Sequence, residues 1–409
     1  MKKTDLRNYA KLIARMGINV QKGQSVLISA GLDQPEFVTM VVEECYRAGA
    51  GEVRVEWYHQ PLTKLHVRHC KQKTLEKVED WEIEKIKHRV KTLPAMIFLD
   101  SDDPDGLVGI NQKKYFTAAQ KRSLIFKPFR NEMENKYQWC IAAVPGKAWA
   151  KKLFPNDRTS VAVEKLWNAI LSCARAFGDA EQNWRDHNKD LQDRCAYLNS
   201  LGLDQLKYKS ANGTDFTVGL IPNALFLGGC ESVMGKEDVI YNPNIPSEEI
   251  FVTPMRGRAE GIVYSTKPLA FQGTLIENFS IRFENGKAVE VHAEKNEELL
   301  KQMIEMDEGA AYLGECALVP FNSPINESGI LFYNTLFDEN AACHLALGMG
   351  FSNCIKDYEK YTLKECQDMG INDSVLHEDF MIGSEDLDIT GVTKDGKEYP
   401  IFRNGNWAF

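Results

Sequence analysis

Residues 309–351, GAAYLGECALVPFNSPINESGILFYNTLFDENAACHLALGMGF, set Glu315, Glu339 and His344 among small and apolar residues. The segment LHEDFMIG adds His377 and Asp379. The chain has only eight histidines, and two of them stand near carboxylates in weakly charged surroundings. That is the donor chemistry of one buried metal centre assembled from several segments. A further donor lies upstream in Ile245-Pro-Ser-Glu-Glu-Ile-Phe-Val-Thr-Pro, which is extended between prolines, so Glu248 and Glu249 face opposite ways and only one of them enters a site.

Charge decides how many ions such a centre needs. Glu249, Glu315, Glu339 and Asp379 supply four negative charges, and His344 and His377 two neutral nitrogens, a set that two divalent cations balance. One ion would leave uncompensated carboxylates in a low-dielectric pocket. Mixed oxygen and nitrogen ligation suits zinc, cobalt or manganese and argues against a thiolate-type structural zinc site. Two ions about 3.5 to 4 Å apart can hold a hydroxide between them and polarise a scissile carbonyl, which is hydrolytic chemistry. Each residue alone also has an ordinary explanation as a surface carboxylate or a core histidine, so the residue types by themselves leave other readings open.

The elements that must position these groups are legible in outline. Around His377 the chain alternates, and an extended strand points Val375, His377, Asp379 and Met381 to one face. Asp338-Glu-Asn-Ala-Ala-Cys-His-Leu-Ala-Leu-Gly reads as a short helix with an Asp/Asn start and a closing Gly348. It would carry His344 and place Glu339 in the first turn, where the helix dipole favours a negative group. Continued further, that helix would bring Phe351, which cannot bind a metal, to the face of His344.

At 409 residues the chain exceeds what one hydrophobic core usually serves, so two domains are expected. Helical and strand patterns alternate at first: a helix from Asp5 to Met16, a strand at Ser25-Val-Leu-Ile-Ser, a helix from Pro35 to Ala48 closed by Gly49, and strands at Glu52-Val-Arg-Val-Glu-Trp, Ala95-Met-Ile-Phe-Leu and Trp139-Cys-Ile-Ala-Ala-Val. Helical stretches close this half near residues 160–177 and 181–199. From about Leu201 short strands separated by Asn212-Gly, Asn285-Gly and Asp395-Gly turns take over. The fold class read from this is α/β: an N-terminal Rossmann-like parallel-sheet domain over 1–195 and a C-terminal mixed α+β domain over 196–409. The alternative function is a metabolite- or nucleotide-binding regulator using the N-terminal sheet. Against it, the first strand runs into Ala30-Gly-Leu-Asp-Gln without a three-glycine turn, and no G-x-x-x-x-G-K-[ST] occurs.

Composition removes further classes. The net charge is -9 with pI near 5.6 and the basic residues are dispersed, so nucleic acid is not an expected partner. The N-terminal residues mix charge into a helical pattern, and no stretch approaches the roughly 20 apolar residues that span a bilayer, so a soluble cytoplasmic protein with no membrane partner is expected. The ten cysteines include no C-x-x-C pair and read as small buried residues in a reducing compartment. A serine or cysteine hydrolase would need a nucleophile such as Cys343, and no G-x-S-x-G element is present. His59, His66, His69, His88, His187 and His292 lack comparable acidic context and read as structural.

Four ordered motifs carry a resemblance beyond spacing: Asn244-Ile-Pro-Ser-Glu-Glu-Ile-Phe-Val-Thr-Pro, Glu308-Gly-Ala-Ala-Tyr-Leu-Gly-Glu-Cys-Ala-Leu-Val-Pro, Phe332-Tyr-Asn-Thr-Leu-Phe-Asp-Glu-Asn-Ala-Ala-Cys-His and His377-Glu-Asp-Phe-Met-Ile-Gly. They closely resemble the M29 family of metalloaminopeptidases, and the likeness extends from Asn8-Tyr-Ala-Lys-Leu-Ile to Arg403-Asn-Gly-Asn-Trp-Ala-Phe. The resemblance implies two divalent metal ions (zinc, cobalt, manganese or magnesium), a water or hydroxide activated between them, and release of one amino acid at a time from peptides with a free N-terminus, in a homodimer. It also implies that Glu249, Glu315, His344, His377 and Asp379 are metal ligands, and that Glu339 is a further ligand or, with Glu315, a catalytic base. The N-terminal domain would shape substrate access and the C-terminal domain hold the metals, with Asp338, Arg256 and Arg258 as candidate substrate-positioning groups. At Phe351 the family often has tyrosine, so a phenol beside one metal is missing in this chain.

Overall fold

A computed structural model describes residues 1–271 and 274–409, which form two compact units. The first comprises Met1–His187 and Cys230–Ser247. Its sheet has five parallel strands in the order Asn244–Ile245, Trp139–Ala143, Ala95–Asp100, Ser25–Gly31, Glu52–Tyr58. Val26, Leu27 and Ile28 are all buried, as a parallel strand covered on both faces requires. The crossover helix Pro35–Ala48 buries Phe37, Val38, Val41 and Cys45 along one stripe, starts on proline and ends at Gly49, whose φ of 112° only glycine adopts without strain. Tyr9 stacks on Phe37 with ring centroids 5.5 Å apart, which fixes helix Lys3–Leu12 in the same layer. This is the parallel-sheet architecture that the alternating patterns predict.

The carboxyl end of that sheet is poorly suited to a nucleotide. Ser101 Oγ donates to Asp33 Oδ2 at 3.0 Å in the turn after the first strand, and a Cβ at Gly31 would stand 2.5 Å from the same hydroxyl. Asp102, close by, is pushed up to about 6 by partial desolvation and then by the charges of Asp100 and Asp33. Gathered carboxylates repel a pyrophosphate, and the turn is closed by side chains rather than open to an anion.

The second unit comprises Asn188–Gly229 and Glu248–Phe409 and is built from antiparallel sheets. In the larger, Thr274–Glu284 and Lys287–Lys295 form a hairpin through Asn285 and Gly286, at φ 51° and 81°, the two positive values that such a two-residue turn demands. The smaller sheet runs His377–Met381, His344–Gly348, Leu313–Leu318, Ile250–Val252, Leu227–Gly228. Its rear face holds Ile250, Val252, Cys316, Leu318, Leu345, Leu347 and Phe380, all buried, and Phe380 meets Phe279 of the larger sheet at 5.8 Å between ring centroids. Among the described residues no helix is long and apolar enough to cross a membrane.

One irregularity in the small sheet decides the direction of Glu315. Leu313 pairs with Leu347, but Glu315 pairs with Ala346, so two residues advance on one strand against one on its partner. Without this bulge Glu315 would share the rear face with Leu313; with it, Glu315 crosses to the front. Gly314 is the extra residue, and a Cβ there would lie 2.1 Å from the Met349 carbonyl oxygen. Gly314→Ala is therefore expected to cost about 1–3 kcal/mol of stability and to lower metal affinity at least about tenfold. Thermal denaturation together with metal analysis of the variant checks this, and wild-type values of both would refute the role assigned to the bulge.

Candidate metal centre

The front face of the small sheet carries Glu249 and Phe251 at one side, then Glu315 and Ala317, then His344 and Ala346, then His377 and Asp379. Cross-strand register sets Ala317 beside His344 and Ala346 between Glu315 and Asp379. The single methyls of these alanines leave space above the sheet over which the longer donors converge. His377 and Asp379 share a face of one strand, as their spacing predicts.

His344 reaches this face differently from the sequence-based expectation. Residues 338–348 do not form a helix: the helix covers only Thr335–Asp338, a 3-10 turn spans Glu339–Ala341, Ala342 is extended at φ -160°, and His344 opens the strand His344–Gly348. Glu339 sits at the C-terminal end of that short helix rather than in a first turn, so the dipole argument for it falls away. The reason is tertiary: strands on both sides pair with His344–Gly348 and every residue in it is buried, which overrides the helix preference of Ala and Leu. Phe351 is likewise on no helix face with His344. It follows the strand, held by its N–H donating to Thr253 Oγ1 at 2.8 Å, and its ring lies 4.9 Å from that of His377.

The donors form two groups that share a member. Glu249, Glu315 and His344 bring ligand atoms within 4.8 Å of one another, and so do Glu315, His377 and Asp379. His344 Nε2 lies 3.2 Å from Glu249 Oε2 and 3.9 Å from Asp379 Oδ1; His377 Nε2 lies 3.2 Å from Glu315 Oε2 and 3.6 Å from Asp379 Oδ1. Ligands held about 2.1 Å from a tetrahedral ion stand about 3.4 Å apart, which matches this spacing. Glu339 joins neither group; its carboxyl bonds Asp379, and Asn340 Nδ2 donates to its Oε1 at 3.2 Å.

Backbone carbonyls choose the imidazole tautomers. His344 Nδ1 faces Ala342 O at 3.2 Å and His377 Nδ1 faces Met349 O at 2.7 Å, so each Nδ1 carries the proton and each Nε2 lone pair points at carboxylates. A lone pair facing carboxylate oxygens is repulsive unless a cation stands between them. Asp379 Oδ1, between the two Nε2 atoms, is also buried with no hydrogen-bond donor among the described residues. The residues present thus fit divalent metal.

Electrostatics says the same. Glu315 is raised to about 7 by burial, reinforced by Asp379 and Glu249, and Glu339 is raised well above the carboxylate range by burial and then by Asp379, Glu249 and Glu315. For the histidines burial works downward but is outweighed by the surrounding carboxylates, which lift His344 to about 9 and His377 to about 10. Without metal, the pocket gathers protons in place of cations.

The remaining candidates make the following contacts within the fold. Asp338 accepts the backbone N–H groups of Phe332 and Asn334 at 2.8 and 3.0 Å and braces the loop before Glu339. Arg258 pairs with Asp204 at 2.7 Å; Arg256 pairs with Glu308 and covers the Tyr312 ring. Cys343 is pushed up to about 12 by burial and donates to Val319 O, so it is no nucleophile. Residue-type reasoning missed Asn340, which is fully buried and accepts from the Glu248 N–H at 2.6 Å while donating to Leu336 O, tying the Glu249 segment to the Glu339 turn. Its signal was available: an asparagine inside an otherwise apolar run demands buried partners.

The sequence profile of the family described as thermophilic metalloprotease (M29) matches residues 2–407. The chain belongs to the M29 family. M29 proteins are metallopeptidases, so hydrolysis of peptide bonds is the chemistry to be fitted to this centre. Aminopeptidase AmpS of Bacillus subtilis is 39% identical over 407 residues, covering 99% of this chain and 98% of its own. The solved structure of AmpT from Thermus thermophilus superposes with a TM-score of 0.90 at 36% identity over the full length of both chains. A 2,5-dihydroxypyridine dioxygenase from Pseudomonas putida, 12% identical and covered to 96%, superposes at a TM-score of 0.52, a likeness of fold alone.

A pH dependence of stability follows. Both histidines rise above their ordinary 6.5 and Glu315 above 4.5 in the folded metal-free chain, which therefore binds more protons than the unfolded chain. Stability from these groups is fully present at low pH, declines from about pH 4.5 as Glu315 titrates, and is lost through about 9 to 10 as the histidines do. Melting of chelator-treated protein is expected to shift downward from pH 6.5 to 10, and a flat profile would contradict this coupling of the histidines to the buried carboxylates.

Proposed function

We propose that the chain is an aminopeptidase in which two divalent ions occupy the two groups of donors, one with Glu249, Glu315 and His344, the other with Glu315, His377 and Asp379. The observation carrying this reading is the shared Glu315 together with Asp379 Oδ1 placed between the two Nε2 atoms. Four carboxylates balance two divalent charges, which leaves the pocket neutral and hospitable to a peptide. The relatives named aminopeptidases support attack at the N-terminal bond of peptides whose α-amine is free.

When bound, the ions supply Lewis acidity and acidify a water at neutral pH. The protein's own residues do the rest. Ala342 O and Met349 O hold the imidazoles with Nε2 forward, and the bulge at Gly314 aims Glu315. Glu339 is the proton carrier: it completes neither donor group, Asn340 holds one of its oxygens, and burial and neighbouring charge give its carboxylate a high proton affinity. With metal bound, the proton it shares with Asp379 would leave, and the freed carboxylate would take a proton from the attacking water and return it to the leaving nitrogen. All these residues belong to the second unit, and the first unit is assigned no chemical step.

Aminoacyl-anilides test the proposal. Glu339→Gln is expected to lower kcat by about 10²–10⁴-fold with the metal retained, and Glu315→Gln to lose metal and activity together. Acetylating the substrate amine should abolish turnover. Full activity of both variants, or cleavage of the blocked substrate, would overturn the reading.

A further inference from the structure

Beside the donors the front face carries an aromatic pair that the chemistry does not use. Phe251 precedes the buried Val252 on the strand Ile250–Val252, and its register partner Ala317 places it on the donor side of the sheet. Its ring meets that of Phe351 edge-on at 5.6 Å, and Phe351 lies 4.9 Å from the His377 ring. Both phenylalanines are only partly buried, although a core would cover them. Met349, which receives the His377 Nδ1 proton on its carbonyl, is 37% exposed at the same edge. Thr253 Oγ1 pins the Phe351 backbone, so the wall is fixed in position.

We infer that Phe251 and Phe351 form the wall that receives the side chain of the substrate's N-terminal residue and selects apolar, above all aromatic, side chains. The inference rests on the aminopeptidase reading above. A residue held by its α-amine at the donors would extend its side chain along the donor face, and the partly buried edge-to-face pair beside His377 offers apolar ring surface to that side chain. Apolar surface left open beside buried charge is expensive unless a ligand covers it. A cationic or anionic side chain at this wall would surrender its hydration without a partner in return.

The selectivity ratio tests this. With wild type, kcat/KM for L-phenylalanine-anilide should exceed that for L-alanine-anilide by about 10–100-fold; Phe251→Ala should cut that ratio about tenfold and Phe251→Leu should restore part of it. Phe251 is not among the proposed ligands, so metal content should stay at the wild-type level. Calorimetric binding of L-phenylalaninamide against L-alaninamide reads the same preference without turnover. An unchanged ratio in Phe251→Ala, or an equal loss on both substrates, overturns the wall. Wild type that hydrolyses neither anilide yet still binds phenylalaninamide tenfold more tightly than alaninamide overturns the aminopeptidase reading and supports the wall.

Discussion

The burial of carboxylates with no lysine or arginine to pair them is the constraint on which the rest of the second unit depends. Glu249, Glu315, Glu339 and Asp379 lie on or beside one face of one small sheet, each nine-tenths or more buried, and no lysine or arginine forms an ion pair with them among the described residues. Divalent cations from outside would repay that cost, and protons on the histidines and carboxyls offset it when no metal is bound. The architecture around the pocket reads as a consequence. Both faces of the central strands are covered, alanines rather than larger residues stand between the donors, and a bulge reorients a glutamate that regular pairing would have sent into the core.

Positioning falls to main chain more than to side chains. Two backbone carbonyls orient the imidazoles, the N–H groups of Phe332 and Asn334 hold Asp338, and Asn340 joins the Glu249 segment to the Glu339 turn through backbone partners. Such contacts cost little side-chain entropy and fix donors to within the tolerance that metal geometry allows. The dioxygenase that superposes on this chain shares its fold, and fold alone does not fix chemistry.

Much of this was legible in the sequence. The parallel strands of the first unit announce themselves as apolar runs bounded by helices, Asn285-Gly286 marks its hairpin, and His377-x-Asp379 is a period-two pattern whose geometry admits one arrangement. His344 was misjudged because a strand buried on both faces loses its alternation, and Ala-Cys-His-Leu-Ala-Leu is then indistinguishable from a short helix. The bulge at Gly314 was invisible because it is a relation between two strands, and so was the wall at Phe251, whose role depends on which ring it meets. Glu249 over Glu248 followed from the motif; both prove buried, so burial alone would not have separated them.

The most direct measurement is the number of metal ions the folded chain binds. Titration of chelator-treated protein with zinc or cobalt, read by calorimetry and by mass spectrometry of the intact protein, should saturate at two ions per chain, and activity should appear as the sites fill. Saturation at one ion with full activity, or activity without any, would contradict the paired-donor account.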